Sequence, residues 1–382
     1  MHDLLLSKES IGISYNKQIV YHGIKMKFFL IIALSCFALP AIAHHGVSGQ
    51  FDRNTKVNVT GVVTDIRLVN PHAYVYFNVT GPAGETQKWR CELRGGSLLT
   101  RSGWTKEMFA VGTKITVFGS QAWREEYGCY TETITFENGR VIARNEVIEE
   151  QQGAVISKVK LAKGTPVLHG HWVTPGRREP PSPVATALAR ASWPSDVPIP
   201  RARKTFSPTQ AGIDAVGDNF NVEEMNPRYH CQATNIFHDW WFDMHVNKIE
   251  QSDDKIILTY GFMDIVRTIH LDMNEHPDNI VPSITGHSIG RWEGDTLIVD
   301  TIGFKEGWLF AFNNGIKHSD QMHTVERFDK SPDDQWLMMT YTINDALFLN
   351  APLTAQIAQR RTSAPFEEYA CEDLTEERVK GF

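Results

Sequence analysis

The chain has 382 residues, a formal net charge of −7 at pH 7 and 42% hydrophobic residues. That length is enough for two domains. No stretch is basic enough to follow a nucleic acid, which excludes that partner, and no low-complexity tract or internal repeat is present.

Residues 1–25 carry no targeting pattern and read as an extension upstream of the true start, Met26. Lys27 follows, then the apolar run FFLIIALSCFALP, then Ala41-Ile42-Ala43. A charged start, an apolar centre and a small-x-small end describe a secretory leader over 26–43, cleaved after Ala43. The run is too short for a spanning helix, and no second run of that length follows, so no membrane span is expected. The mature chain is expected to begin at His44 and to be periplasmic or secreted. Of five cysteines, Cys36 lies in the leader. Cys91, Cys129, Cys231 and Cys371 remain, an even number that favours disulfides in an oxidising compartment. Three connectivities are open; Cys91–Cys129 with Cys231–Cys371 fits a two-domain division.

The first domain, 44–150, reads as strands. KVNVTGVVTDIRLVN, HAYVYFNVTG and TQKWRCELR alternate apolar and polar residues, as half-buried strands do. GGSLLTRSGWTKEMFAVG has helical spacing, and TKITVFGSQA and TETITFENG follow as strands. Three strands, a helix and two strands predict a small OB-like barrel. Residues 151–207 are rich in proline and turn residues and read as an extended linker. SPTQAGIDAVGDNF opens on a capping residue and predicts a helix. From there to 382 strands are expected near 241–250, 254–261, 265–272, 284–292, 296–304, 322–329, 336–343, 353–361 and 366–372. Short turns join them, which predicts an up-and-down, lipocalin-like barrel closed on itself. The fold class is all-β.

Two stretches carry a resemblance. HHGVSGQFDRNTKVNVTGVVT, NPHAYVYFNV and SGWTKEMFAVGTKITVFG resemble an exported bacterial module described only as a domain of unknown function, over roughly 44–140. RTIHLD, EHP, GHSIGRWEGDTLIVDTIGF and HTVERF resemble a second uncharacterised exported module, over roughly 168–375; its usual L-D-G-R-x-H-P turn reads LDMNEHP here. The resemblance implies compartment and architecture but no reaction.

Several constellations could carry chemistry. An N-terminal His44 would offer its amine and ring to one metal, with His45 and His72 as further imidazoles, an arrangement that suits copper. The plainer reading is a loose terminus and a turn histidine. In the hairpin RWEGDT, a loop of Glu293-Gly294 would set His287 opposite Asp300 on one sheet face. A carboxylate that orients an imidazole serves general acid–base catalysis; the competing reading is a solvated pair outside the barrel. His323 would face Tyr341 if Phe328 meets Trp336. His270, Arg267 and Glu326 add polar groups to the same barrel. Trp240 and Trp241, in FHDWWFDMH, could stack on an apolar ligand, and Trp292 belongs with them. No G-x-S-x-G, Walker loop, G-x-G-x-x-G after a strand, H-E-x-x-H or C-x-x-C occurs.

The expected function is therefore an exported protein whose second barrel binds a small, largely apolar molecule, with polar residues that either orient this ligand or act on it by non-redox acid–base chemistry (isomerisation, elimination, hydration or hydrolysis). The catalytic set would be His287, Asp300, His323 and Tyr341, with Trp240, Trp241, Arg267, His270, Trp292 and Glu326 around the substrate and no cofactor. A copper-binding protein using His44, His45 and His72 and a non-catalytic interaction module are the rival readings.

Overall fold

The computed structural model describes residues 50–148, 159–176, 182–195 and 206–372. The leader, the upstream extension, His44 and His45 lie outside the described residues. No described helix is long and apolar enough to cross a membrane.

The first sheet runs β1 (Phe51–Arg67), β2 (Tyr74–Thr80), β3 (Thr86–Glu92), β4 (Lys114–Ala122), β5 (Gly128–Phe136) and β6 (Val141–Ala143). β1 pairs antiparallel with β2 through its second half and with β4 through most of its length. Its register slips between Val63 and Asp65, where such irregularities bend a strand. β3 pairs parallel with β5, so β1, β2, β3, β5 and β4 close into the small barrel the alternation predicted. Val63, Val75, Phe77, Val117 and Ile134 fill it. Gly61 is required where β1 crosses β2, since a Cβ there would lie 2.5 Å from the Asn78 carbonyl oxygen. The expected helix is Gly96–Arg101, followed by a 3-10 turn, Lys106–Phe109.

The second barrel is built from β7 (Gly170–Val173), β8 (Val246–Gln251), β9 (Lys255–Thr259), β10 (Val266–His270), β11 (His287–Glu293), β12 (Thr296–Ile302), β15 (His323–Lys330), β16 (Trp336–Asn344) and β17 (Leu353–Arg361). It closes in the order β10-β11-β12-β15-β16-β17-β7-β8-β9. β13 (Gly307–Phe310) and β14 (Ile316–His318) form a separate ribbon. Neighbours in the ring are antiparallel except β10 and β11, which run parallel, so the barrel is not a pure meander. β7 comes from the stretch read as a linker, which also contributes a helix, Pro183–Ala191, capped by Ser182. Residues 366–372 form no barrel strand; Cys371 instead bridges to Asn70 of the first barrel. Tyr369 O accepts from the Asn70 amide at 3.0 Å. The disulfides are Cys91–Cys129 and Cys231–Cys371, the pairing that suits an oxidising compartment.

Residues 235–240 pack into the barrel. Phe237 stacks on Tyr341 with centroids 4.3 Å apart, and Trp240 meets Tyr260 edge-on at 4.7 Å. Ile256, Leu258, Ile269, Leu297, Val299, Phe328 and Met339 complete the core.

Two buried histidines make this packing acid-sensitive. Burial, reinforced by Arg228, holds His238 down at about 2. Burial, reinforced by Arg101 and Arg94, holds His245 at about 3. Both folded values lie below that of free imidazole, so the unfolded chain takes up protons first as the pH falls through about 6.5. The stability these neutral rings allow is complete above that pH and erodes below it. Urea melts at pH 5 should show a loss of about 4 kcal/mol relative to pH 7. A flat profile over that interval would mean that these rings are not buried in the neutral form.

Candidate functional site

The β11–β12 hairpin turns on Gly294-Asp295, with Glu293 opposite Thr296. Gly294 has φ +63° at the first turn position, where a glutamate would be strained. The register is therefore two residues from the expected one. His287 faces Ile302, and Asp300 faces Ile289. A two-residue slip keeps each side chain on its face, so His287 and Asp300 still share a surface. That surface is the outside of the barrel, because Ser288, Leu297, Val299 and Thr301 on the other face are buried.

Four histidines gather there around Asp300. His276, on the long connection from β10 to β11, brings Nε2 to 2.9 Å from Asp300 Oδ1. His323 at the start of β15 brings its Nε2 to 2.8 Å from Oδ2. His287 Nδ1 lies 2.8 Å from His276 Nδ1. The His270 ring stacks on His287 with centroids 5.1 Å apart and planes 10° apart. With both Nε2–H groups donating to the carboxylate, a neutral His276 keeps its lone pair on Nδ1 and accepts from His287 Nδ1–H. The same tautomer leaves the Nδ1 lone pair of His323 facing away from Asp300.

The electrostatics follow from this geometry. Burial works to raise the Asp300 pKa, but hydrogen bonds and charge from His323 and His276 outweigh it and hold the carboxylate below its ordinary value. Burial, with His276 and His270 nearby, depresses His287. The side chain of His323 is 40% exposed and that of His270 36%, against 14% for His276.

Directly beneath, inside the barrel, Arg267 holds the four strands that carry this cluster. Its Nε donates to Ser288 Oγ at 3.0 Å and its Nη2 to Thr301 Oγ1 at 2.8 Å. Nη1 lies 2.8 Å from Glu326 Oε2. Arg267, Ser288, Thr301 and Glu326 belong to β10, β11, β12 and β15, and each is buried. Burial opposes the guanidinium charge, but Glu326 and the Tyr260 phenol outweigh it and keep Arg267 charged. Ser288 and Thr301 are chain neighbours of His287 and Asp300, so the inner clamp sets the outer rings.

The structure thus brings His287, Asp300, His323 and His270 together and adds His276, which strand spacing could not locate because it sits in a loop. The EHP turn was its one visible mark. Tyr341 is not with them. β15 and β16 pair with Glu326 opposite Tyr341 and His323 opposite Asn344, three residues from the expected register, which puts Tyr341 on the inner face. Burial and Glu326 push its phenol above the usual range. Arg267 and Glu326 are structural neighbours inside the barrel, Trp240 is core, and Trp292 packs against the core from its edge. Trp241 lines a cleft between the barrels. His72 Nδ1 lies 3.4 Å from Glu92 Oε2. Among the described residues no three His, Cys, Asp or Glu side chains are arranged to hold a metal ion.

No curated protein and no solved structure matches the chain significantly. Residues 33–129, which end at the start of β5, match a family described as "Family of unknown function (DUF6152)".

Proposed function

We propose that the protein is an exported acid–base enzyme that works on a small, largely apolar molecule at the outer face of β10, β11, β12 and β15. One observation carries this reading: each oxygen of Asp300 holds a histidine Nε2, at 2.9 and 2.8 Å. A carboxylate so placed fixes the tautomer of His323 and stabilises the imidazolium that forms when Nδ1 takes a proton. His323 is the base. His276 and His287 form the second arm, through which a proton can reach or leave the same carboxylate. The reaction class is isomerisation, elimination, hydration or hydrolysis. Export is supported by the leader-like segment and by the two disulfides.

The test is a panel of ester, lactone, enone and 2-hydroxy acid substrates run against the mature chain. Turnover should disappear in His323→Ala and fall roughly 10²–10⁴-fold in Asp300→Asn, which keeps the shape but loses the orienting charge. Far-UV circular dichroism of both variants should match the parent, since both side chains lie outside the core. Turnover unchanged in both variants, or none across the panel, would overturn the assignment.

A further inference from the structure

A second site lies elsewhere. Between the two barrels is a cleft of about 1130 Å³, large enough for a small organic ligand. Its wall on the large barrel comes from β7, β8, β17 and the segment before β8, whereas the histidine cluster sits on β10, β11, β12 and β15. The lining carries more positive than negative side chains, although Arg144 Nη2 also lies 3.6 Å from the buried Glu92 Oε1. Arg94, Arg101 and Arg144 come from the first barrel and Arg360 from the second. The carboxylate in the lining, Glu132, is already ion-paired with Lys56. Glu367, which feels the charge of Arg101, is itself pushed toward its neutral form by burial. A concave surface of one sign with low-dielectric walls concentrates its field on whatever enters.

The rest of the lining is suited to an apolar body. Tyr130, Trp241 and Phe242 face the same space, and the Arg144 guanidinium lies 4.1 Å above the Tyr130 ring. Arg101 spans the two barrels, donating from Nη2 to the Met244 carbonyl at 2.6 Å, so the walls are tied together. Two buried polar atoms of the lining have no hydrogen-bond partner: Thr131 Oγ1, on a residue with 0% exposure, and Arg144 Nε. Such groups in a folded interior are normally satisfied, and an anionic ligand would supply acceptors.

We propose that this cleft binds a small amphipathic organic anion, a carboxylate, sulfonate or phosphate ester on an aromatic or apolar body. Guanidinium groups recognise such head groups by paired, charge-assisted hydrogen bonds. The site is independent of the acid–base reading and stands or falls apart from it.

The experiment is isothermal titration calorimetry of the mature chain with 1-naphthalenesulfonate and with 1-naphthalenemethanol, a neutral molecule of the same body. The sulfonate should bind at one site, weaken with added salt, and bind at least about tenfold more tightly than the alcohol. The double variant Arg94→Gln/Arg360→Gln should lose at least about tenfold in sulfonate affinity. If that variant fails to fold, Trp241→Ala tests the apolar wall of the same cleft, with weakened binding of both probes expected. Equal affinity for the two probes, parental affinity in either folded variant, or no saturable sulfonate binding would each overturn the proposal.

Discussion

Glu326→Ala should destabilise the protein by about 3–5 kcal/mol, the largest effect expected of any single substitution in the second barrel. The side chains of Arg267 and Glu326 are 1% and 0% exposed. Removing the carboxylate strands a guanidinium in the core, with the uncharged hydroxyls of Ser288, Thr301 and Tyr260 left to answer it. The cost is that of an uncompensated buried charge, not the net worth of the pair. The double variant Arg267→Met/Glu326→Leu should therefore recover most of the loss. Urea denaturation of the two single variants and the double measures this as a cycle. A loss under about 1 kcal/mol in Glu326→Ala would mean that water reaches the pair. The four clamped strands carry the outer histidines, so the double variant, though stable, should lose the His276–Asp300–His323 geometry and with it any turnover.

Replacing both Cys231 and Cys371 with serine should cost about 5 kcal/mol, against about 4 kcal/mol for Cys91 and Cys129. The two bridges close loops with sequence separations of 140 and 38 residues, and the entropy of the unfolded chain falls more when the longer loop is closed. The longer bridge also holds the segment after β17, which meets the first barrel through Asn70. Its loss should release that segment as well, visible as faster amide exchange at Tyr369, whose backbone N donates to Asp264 at 2.7 Å. Chemical denaturation of the two double-serine variants gives the order. A smaller loss for Cys231/Cys371 than for Cys91/Cys129 would sink the chain-entropy account.

The strands were legible where burial alternates with the pleat. Val57, Val59 and Val63 mark β1, and Val75 and Phe77 mark β2, because one face of each is core and the other is not. β7 was not legible: four residues, Gly170–Val173, in a proline-rich setting have no period of their own. They become a strand because β8 and β17 leave a gap in the ring that they fill. The shared face of His287 and Asp300 was legible, since it survives a two-residue slip. The register itself turned on whether Gly294 is the first or second turn residue, and its positive φ decides. Inside and outside were harder. Arg267 and Glu326 were expected around a ligand, yet with Ser288 and Thr301 they satisfy one another in the core, a non-local arrangement that periodicity does not see.

The strand counts of the two rings have a consequence of their own. A closed ring in which every neighbour runs antiparallel must have an even number of strands, as alternating colours around a circle require. The first barrel closes with β1, β2, β3, β5 and β4, and the second with nine strands, both odd. Each ring must therefore contain a seam where two strands run the same way, and each has one: β3 with β5, and β10 with β11. A parallel seam cannot be joined by a tight hairpin, so the chain must travel back along the barrel before it can continue. In the first barrel the seam is bolted, since Cys91 and Cys129 are register partners across it. In the second the return path is the loop that lays His276 across the outside of the sheet. An even-stranded barrel with every neighbour antiparallel would need no such loop and would leave no second ring for Asp300 to hold.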